Sequence, residues 1–350
     1  MWPSCLPLLQ NPKAMPNKKV LLVFRKAHKG NYSIEKVYHA VYRCLKEDTK
    51  SILEYKELTL RRTYDFFQFI RCFFGSLVSK THIVHITGGC NYMVMAFPFK
   101  KRVLTIHDLY HYQQLKGLKG IIYNLFFYRL PIRFSHKIVA VSNETKNQLL
   151  RYFNHVNDKI TVIHNPLTVP EKEIKTRERI FSKERPVQVL QIGNKPLKNY
   201  RRFIEATKSL NLHYHFVHSK TEAIQALIAQ HDIHERSNVY SNLGEEQLYG
   251  LYHKTDVLYF ASEAEGFGLP VIEAQAFGIP VITSKLAPLK NIGTGALFVN
   301  PLNISEIKNA FENLYEPGFI KRKIAEGKEN SRRYILKKTS NNYSHLYKNL

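Results

Sequence analysis

Three observations predict two α/β domains, each built on a doubly wound parallel sheet. The chain has 350 residues, and domains of roughly 100–200 residues make two the natural division. Apolar runs of strand length recur through both halves, each followed by a polar or helical stretch. The runs are continuously apolar rather than alternating, the pattern of strands covered on both faces by helices.

Residues 1–14 are broken by Pro3 and Pro7 and lack a basic leader, so they are expected to be a poorly ordered extension and not a secretory signal, with Met15 as an alternative start. The first domain, 15–169, carries strand candidates at 20–24, 83–86, 103–106, 137–141 and 160–163. Residues 170–186 are rich in Lys, Glu and Arg and poor in apolar side chains, which reads as a partly helical or loose linker. The second domain, 187–333, repeats the rhythm with runs at 187–192, 215–217, 239–240, 257–260, 280–283 and 297–299. Residues 334–350 form a basic helical tail expected to pack back towards the first domain. Ile324, Ile335, Tyr343, Leu346 and Tyr347 are the apolar contacts of the C-terminal region.

Composition removes several function classes. An apolar share of 44% with 16 Gly and 15 Pro excludes a disordered or collagen-like chain. No apolar run reaches the roughly 18–20 residues that cross a bilayer. The four cysteines contain no CxxC pair, so neither a zinc framework nor a dense disulfide scaffold is indicated and reduced thiols are expected. The net charge of +24 is uneven: residues 1–170 hold 26 Lys and Arg against 9 Asp and Glu, a net +17. Such a field implies an anionic partner, nucleic acid or an anionic membrane surface. Within that basic half, 61–75 and 115–136 interleave Arg and Lys with Phe, Tyr, Leu and Ile, as interfacial helices do. Zinc-finger spacing, an RNP-like aromatic strand and a basic zipper are all lacking, so charge alone supports nucleic-acid binding and none is expected.

The densest chemical signal is Glu265-Gly-Phe-Gly-Leu-Pro-Val-Ile-Glu273-Ala274, continued by Gly278-Ile-Pro-Val281. It reads as a glycine loop, a helix and a strand directly after the run at 257–260. Gly266 and Gly268 let a ligand approach the backbone, Pro270 suits the first helical position, and Gly278 ends the helix. Exposed amides at such a helix start bind anions, and Glu265 and Glu273 bracket the loop with carboxylates that can accept sugar hydroxyls. This block resembles the signature of the family 4 retaining glycosyltransferases. That resemblance, which runs from about Val20 to Leu350, implies a GT-B architecture: two Rossmann-like doubly wound parallel-sheet domains facing a central cleft.

Carried over residue by residue, the resemblance implies a nucleoside diphosphate sugar donor on the second domain. Ile192-Gly-Asn194-Lys-Pro-Leu-Lys198 is similar to the family's opening of that domain, where a basic residue holds the donor diphosphate; by position this is Lys198. Asn194 stands where many members have Arg. Glu273 would accept ribose hydroxyls, Glu265 would fix donor sugar hydroxyls, and the amides of Gly266, Phe267, Gly268 and Leu269 would assist at the diphosphate. Thr105-Ile-His107-Asp108 resembles the family's His-Asp turn, which places His107 in the cleft beside the transferred sugar. Two glycine turns, Gly30-Asn31 and Gly88-Gly89, are acceptor or cleft candidates.

The resemblance implies sugar transfer with retention to a glycan or lipid-linked hydroxyl in bacterial envelope polysaccharide or lipopolysaccharide synthesis. The location expected is cytoplasmic, at the inner face of the plasma membrane. No Asp-x-Asp occurs, so no metal or other cofactor is expected. A nucleotide-sugar epimerase or a catalytically silent nucleotide-binding homologue of the same fold stays open, as does a nucleic-acid-binding protein.

Overall fold

The computed structural model describes residues 18–26, 33–48, 53–61, 65–193, 195–218 and 221–350. The extension at 1–14 and the candidates Gly30, Asn31 and Asn194 lie outside the described residues. The first sheet holds β1 (Lys18–Phe24), β2 (Leu53–Thr59), β3 (Ile83–Ile86), β4 (Lys101–Ile106), β5 (Lys137–Ala140) and β6 (Ile160–Val162), in the order β2-β1-β3-β4-β5-β6. The second holds β7 (Val187–Ile192), β8 (Leu212–Val217), β9 (Ser237–Tyr240), β10 (Val257–Phe260), β11 (Val281–Ser284) and β12 (Leu297–Val299), in the order β12-β11-β10-β7-β8-β9. Every pairing is parallel. Ile83–Ile86 and Val257–Phe260 are buried along their whole length, which is why their sequences are apolar throughout apart from His85, whose ring nitrogens find buried partners.

Each sheet reverses its winding once, between β1 and β3 and between β7 and β10. Beyond the carboxyl ends of such a switch point a crevice opens, because successive connections leave in opposite directions. Most of the cleft residues considered below lie at these two switch points or on the strand beside them.

Three features depart from the sequence expectations. An additional strand, β2, pairs with β1 from Lys18↔Leu53 to Phe24↔Thr59. As an edge strand it keeps Lys56, Glu57 and Thr59 exposed, so its sequence carries no continuous apolar run. The segment 170–186 is helical only at Glu171–Glu173 and is pinned to the second domain. Arg177 and Arg185 pair with the fully buried Asp256 at 2.6 and 2.9 Å, while Arg179 donates to the carbonyls of Thr255, Phe277 and Gly278. The exposed Ile335 is not an apolar contact, because it lies at the crossing between helices.

The helix Pro317–Ser331 packs on the second domain, against the helix Leu269–Ala276. The chain then crosses, and Leu336–Lys348 packs on Ser33–Lys46 of the first domain. There Tyr343 and Tyr347 are fully buried in one apolar cluster with Val20, Leu22 and Tyr38. Their hydroxyls join a polar chain: Tyr343 with Tyr38 at 2.7 Å, Tyr347 with His85 at 2.6 Å, and His85 with Thr105 at 2.8 Å. Burial pushes His85 down to about 3, so it is neutral.

Candidate functional site

A cavity of about 1240 Å³ lies between the domains, lined by both switch points. Ordinary small-molecule pockets run to roughly 300–1000 Å³, so two substrates fit side by side.

The wall from the second domain is built around one lysine. Gly193, just after β7, has φ +125, and a Cβ there would lie 2.4 Å from Lys198 Cε. Glycine is therefore what lets the Lys198 side chain lie across the strand end. Gln191 Nε2 donates to the Lys198 carbonyl (2.7 Å) and Tyr200 Oη to the Gly193 carbonyl (2.6 Å), fixing the turn between them. The Lys198 ammonium sits 2.5 Å from Glu265 Oε1 and 3.9 Å from the centre of the Phe260 ring. Burial pulls its pKa below the usual lysine value, and Glu265 opposes that shift. After Glu265 the chain turns through Gly268, φ +105, into the helix that starts at Leu269, so Pro270 is its second residue rather than its first. Glu273, one turn into that helix, is buried and accepts from Tyr252 Oη at 2.8 Å. Burial raises its pKa above the usual carboxylate range, with Lys36 opposing.

The first domain supplies the facing wall. His107 follows β4, and its Nε2 lies 2.9 Å from the Thr87 carbonyl. A carbonyl only accepts, so Nε2 carries the proton and Nδ1 keeps its lone pair. Burial lowers the His107 pKa, which keeps the ring neutral. The turn after β3 is shaped to its neighbours: a Cβ on Gly88 (φ +116) would meet the His107 ring at 2.5 Å, and one on Gly89 (φ +72) would meet Arg25 Cδ at 2.6 Å. Arg25, after β1, is held by Glu35 through Nε and Nη2, and both side chains are largely buried. Asp108 Oδ1 accepts from the Tyr110 amide (3.0 Å), which closes the turn beyond His107.

The walls touch. A Cβ on Gly266 would lie 2.1 Å from the His107 carbonyl oxygen, so glycine alone permits this approach. Thr145 Oγ1 sits 3.3 Å from that oxygen and 3.4 Å from the Gly266 carbonyl. Further along, Lys36 Nζ reaches Tyr249 Oη (2.9 Å) and Glu245 (3.7 Å) across the cleft.

Of the residues singled out in the sequence, His107, Lys198, Glu265, Gly266, Phe267, Gly268, Leu269, Glu273 and Gly89 line the cavity, and Gly88 backs His107. Arg25, Glu35 and Lys36 also line it and were not anticipated. The available signal was position: Arg25 directly follows the first strand, at a sheet end where ligands bind. Among the described residues, no group of three or more His, Cys, Asp or Glu is placed to hold a metal ion.

Comparison with known proteins gives this geometry a family. Residues 172–331 match the model of the glycosyl transferases group 1, and residues 50–169 match that of glycosyltransferase family 4. The chain belongs to glycosyltransferase family 4. It is 26% identical over 222 residues to the O-antigen chain mannosyltransferase RfbU of Salmonella typhimurium, a match spanning 61% of this chain and 61% of that protein. The family 4 chain is similar in fold to Anabaena HepE, solved in complex with UDP and glucose, with a TM-score of 0.73 at 13% identity over 95% of this chain and 100% of that one. It is likewise similar to the lipopolysaccharide outer core galactosyltransferase WaaB, TM-score 0.64 at 16% identity over 94% and 99%. The architecture is GT-B, two Rossmann-like domains about a cleft.

Proposed function

We propose that this family 4 chain transfers a hexosyl group from a nucleoside diphosphate sugar to a hydroxyl of a glycan or lipid-linked acceptor, with retention, in bacterial envelope polysaccharide synthesis. The observation that carries the reading is the Lys198–Glu265 pair, set beside the glycine loop and opposite a neutral His107. A diphosphate would compete with Glu265 for the Lys198 ammonium and receive further donors from the amides at the start of the Leu269 helix. Glu265, released from the lysine, would then accept hydroxyls of the donor sugar. Glu273 would accept the ribose hydroxyls, and His107 would contact the transferred sugar from the facing wall. In this reading cationic and amide donors stabilise the leaving diphosphate without a metal ion. The touching of Gly266 and His107 supports a closed cleft that limits hydrolysis.

The acceptor reading includes peripheral attachment to the inner face of the plasma membrane. The helix Phe66–Val78 and the run 117–134 flank the same short helix, Asn91–Ala96. Both present large apolar side chains to solvent; Phe67 is 86% and Leu118 73% exposed. Exposed Arg71, Lys116, Lys119, Arg129 and Arg133 stand among them. That combination favours an anionic bilayer surface. Among the described residues no helix is long and apolar enough to cross a membrane.

A thermal-shift series with UDP, GDP, ADP and their sugar conjugates, with and without EDTA, tests the donor reading. One nucleotude class is expected to raise the melting temperature equally with and without EDTA. Labelled sugar should then pass to an acceptor with its anomeric configuration kept. Epimerisation of the donor without transfer would overturn the proposal.

A further inference from the structure

We propose that Arg25, oriented by Glu35, is the anchor for an acidic acceptor: one whose phosphate or carboxylate lies near the hydroxyl that receives the sugar. The proposal rests on the reading of the cleft as a sugar-transfer site and adds the chemical class of the acceptor.

Arg25 stands at the switch point of the first sheet, beyond the carboxyl end of β1 and beside β3. Glu35 engages Nε and one N–H of Nη2, two of the five guanidinium donors. Among the described residues Glu35 is the only hydrogen-bonding partner of Arg25, and no described residue engages the other three donors, both of those on Nη1 included. The side chain is only 14% exposed and Arg25 lines the cavity wall. A guanidinium that has given up most of its water gains most from an anion that can take two parallel N–H bonds.

The surrounding backbone is shaped for this arrangement. Consecutive glycines with positive φ clear space for two different side chains, Gly88 for the His107 ring and Gly89 for Arg25. Arg25 and His107 therefore stand side by side on the first-domain wall, facing Lys198 and Glu265. With the donor diphosphate assigned to Lys198, a second anion site beside His107 falls on the acceptor side. Glu35 makes Arg25 part of a neutral pair, which a buried cation needs, and fixes the plane of the guanidinium.

The test is titration calorimetry on the full chain, with the nucleoside diphosphate that raises its melting temperature held at saturation so that Lys198 is occupied. The probes are glucose 1-phosphate, glucuronate and uncharged methyl glucoside. An anionic probe is expected to bind at least about tenfold more tightly than methyl glucoside, and the stronger of the two identifies a phosphate or a uronate acceptor. R25Q/E35Q removes both charges together, leaving no buried charge unpaired. It should abolish that preference while the nucleotide shift persists, and R25K, lacking the planar fork, should keep only part of it. Equal binding of all three probes would overturn the proposal. So would a preference that survives R25Q/E35Q, or loss of the nucleotide shift in that variant, which would make the pair a structural tie. If no nucleotide shifts the wild type, the donor reading fails; the same titration on the protein alone still decides Arg25.

Discussion

On the second-domain wall, Lys198, Glu265 and Glu273 come from two short stretches of chain, 193–198 and 265–273. On the first-domain wall, Arg25, Glu35, Gly89 and His107 come from three strand ends and a helix spread over some 80 residues. The two walls also fix their charges differently. Lys198 is balanced by a carboxylate that a diphosphate can displace, whereas Arg25 is clamped by a carboxylate through two hydrogen bonds. A wall with an exchangeable partner suits a ligand that arrives and leaves charged. A wall with a clamped partner suits steady orientation. On the proposed reading donor chemistry lies on one side and acceptor positioning on the other, and each side can be perturbed separately.

The largest effect is expected from Lys198→Ala. It removes the only cation in contact with Glu265 among the described residues and leaves that half-buried carboxylate without its ion pair. We expect kcat/KM for the donor to fall by about 10²–10³, the usual scale for losing one such group, measured by nucleotide release. EDTA should leave the wild-type rate unchanged. Gly266→Ala should come next, because its Cβ would meet the His107 carbonyl oxygen at 2.1 Å and hold the walls apart. A misplacement near 1 Å can cost about 10² in rate. kcat should drop while nucleotide binding, which the proposal places on the second domain, stays within about twofold.

Glu273→Gln sharpens the donor side more gently, with about a tenfold loss of nucleotide affinity, and it carries a pH signature. Burial raises the Glu273 pKa above its ordinary value of 4.5. As pH falls through that raised value the carboxylate protonates and ceases to be a pure acceptor, so wild-type nucleotide affinity should weaken above the usual carboxylate range. Stability runs the opposite way. A raised folded-state pKa contributes stability that is fully present below the unfolded value and is lost as pH rises through the folded one. Melting and binding curves should therefore diverge on acidification, and Glu273→Gln should remove both dependences.

The contrast between the walls also explains what could be read from the sequence. The block 265–281 is contiguous, and its glycines and carboxylates keep fixed spacing whatever the rest of the chain does, so the second-domain site was legible. Arg25 and Glu35 are ten residues apart around a turn, and nothing in that spacing tells a cleft pair from a surface pair. Strand β2 leaves no continuous apolar run in the sequence because an edge strand needs apolar side chains on one face only. The segment 170–186 looked like a linker because it is charged, yet its arginines serve Asp256 and the orphan carbonyls at the end of the Leu269 helix. Charge composition records how many arginines a segment has and is silent about which of them find buried partners.

The smallest expected effect on the fold concerns the basic first domain beyond the cleft. Phe67 and Leu118 are 86% and 73% exposed, so Phe67→Ser and Leu118→Ser remove little buried area, and their combination should change stability by no more than about 0.5 kcal/mol per site. Nucleotide binding, proposed for the other domain, should be unaltered. If the exposed helices instead meet an anionic bilayer, each buried side chain contributes about 1.5–3 kcal/mol to attachment, and the double variant should release the protein from vesicles containing anionic phospholipid in a flotation assay. Retained flotation that is abolished by salt would assign attachment to the +17 half as a whole and not to these helices. Loss of flotation at unchanged melting temperature would make the first domain a membrane-facing acceptor platform, which the clamped Arg25 completes from within the cleft.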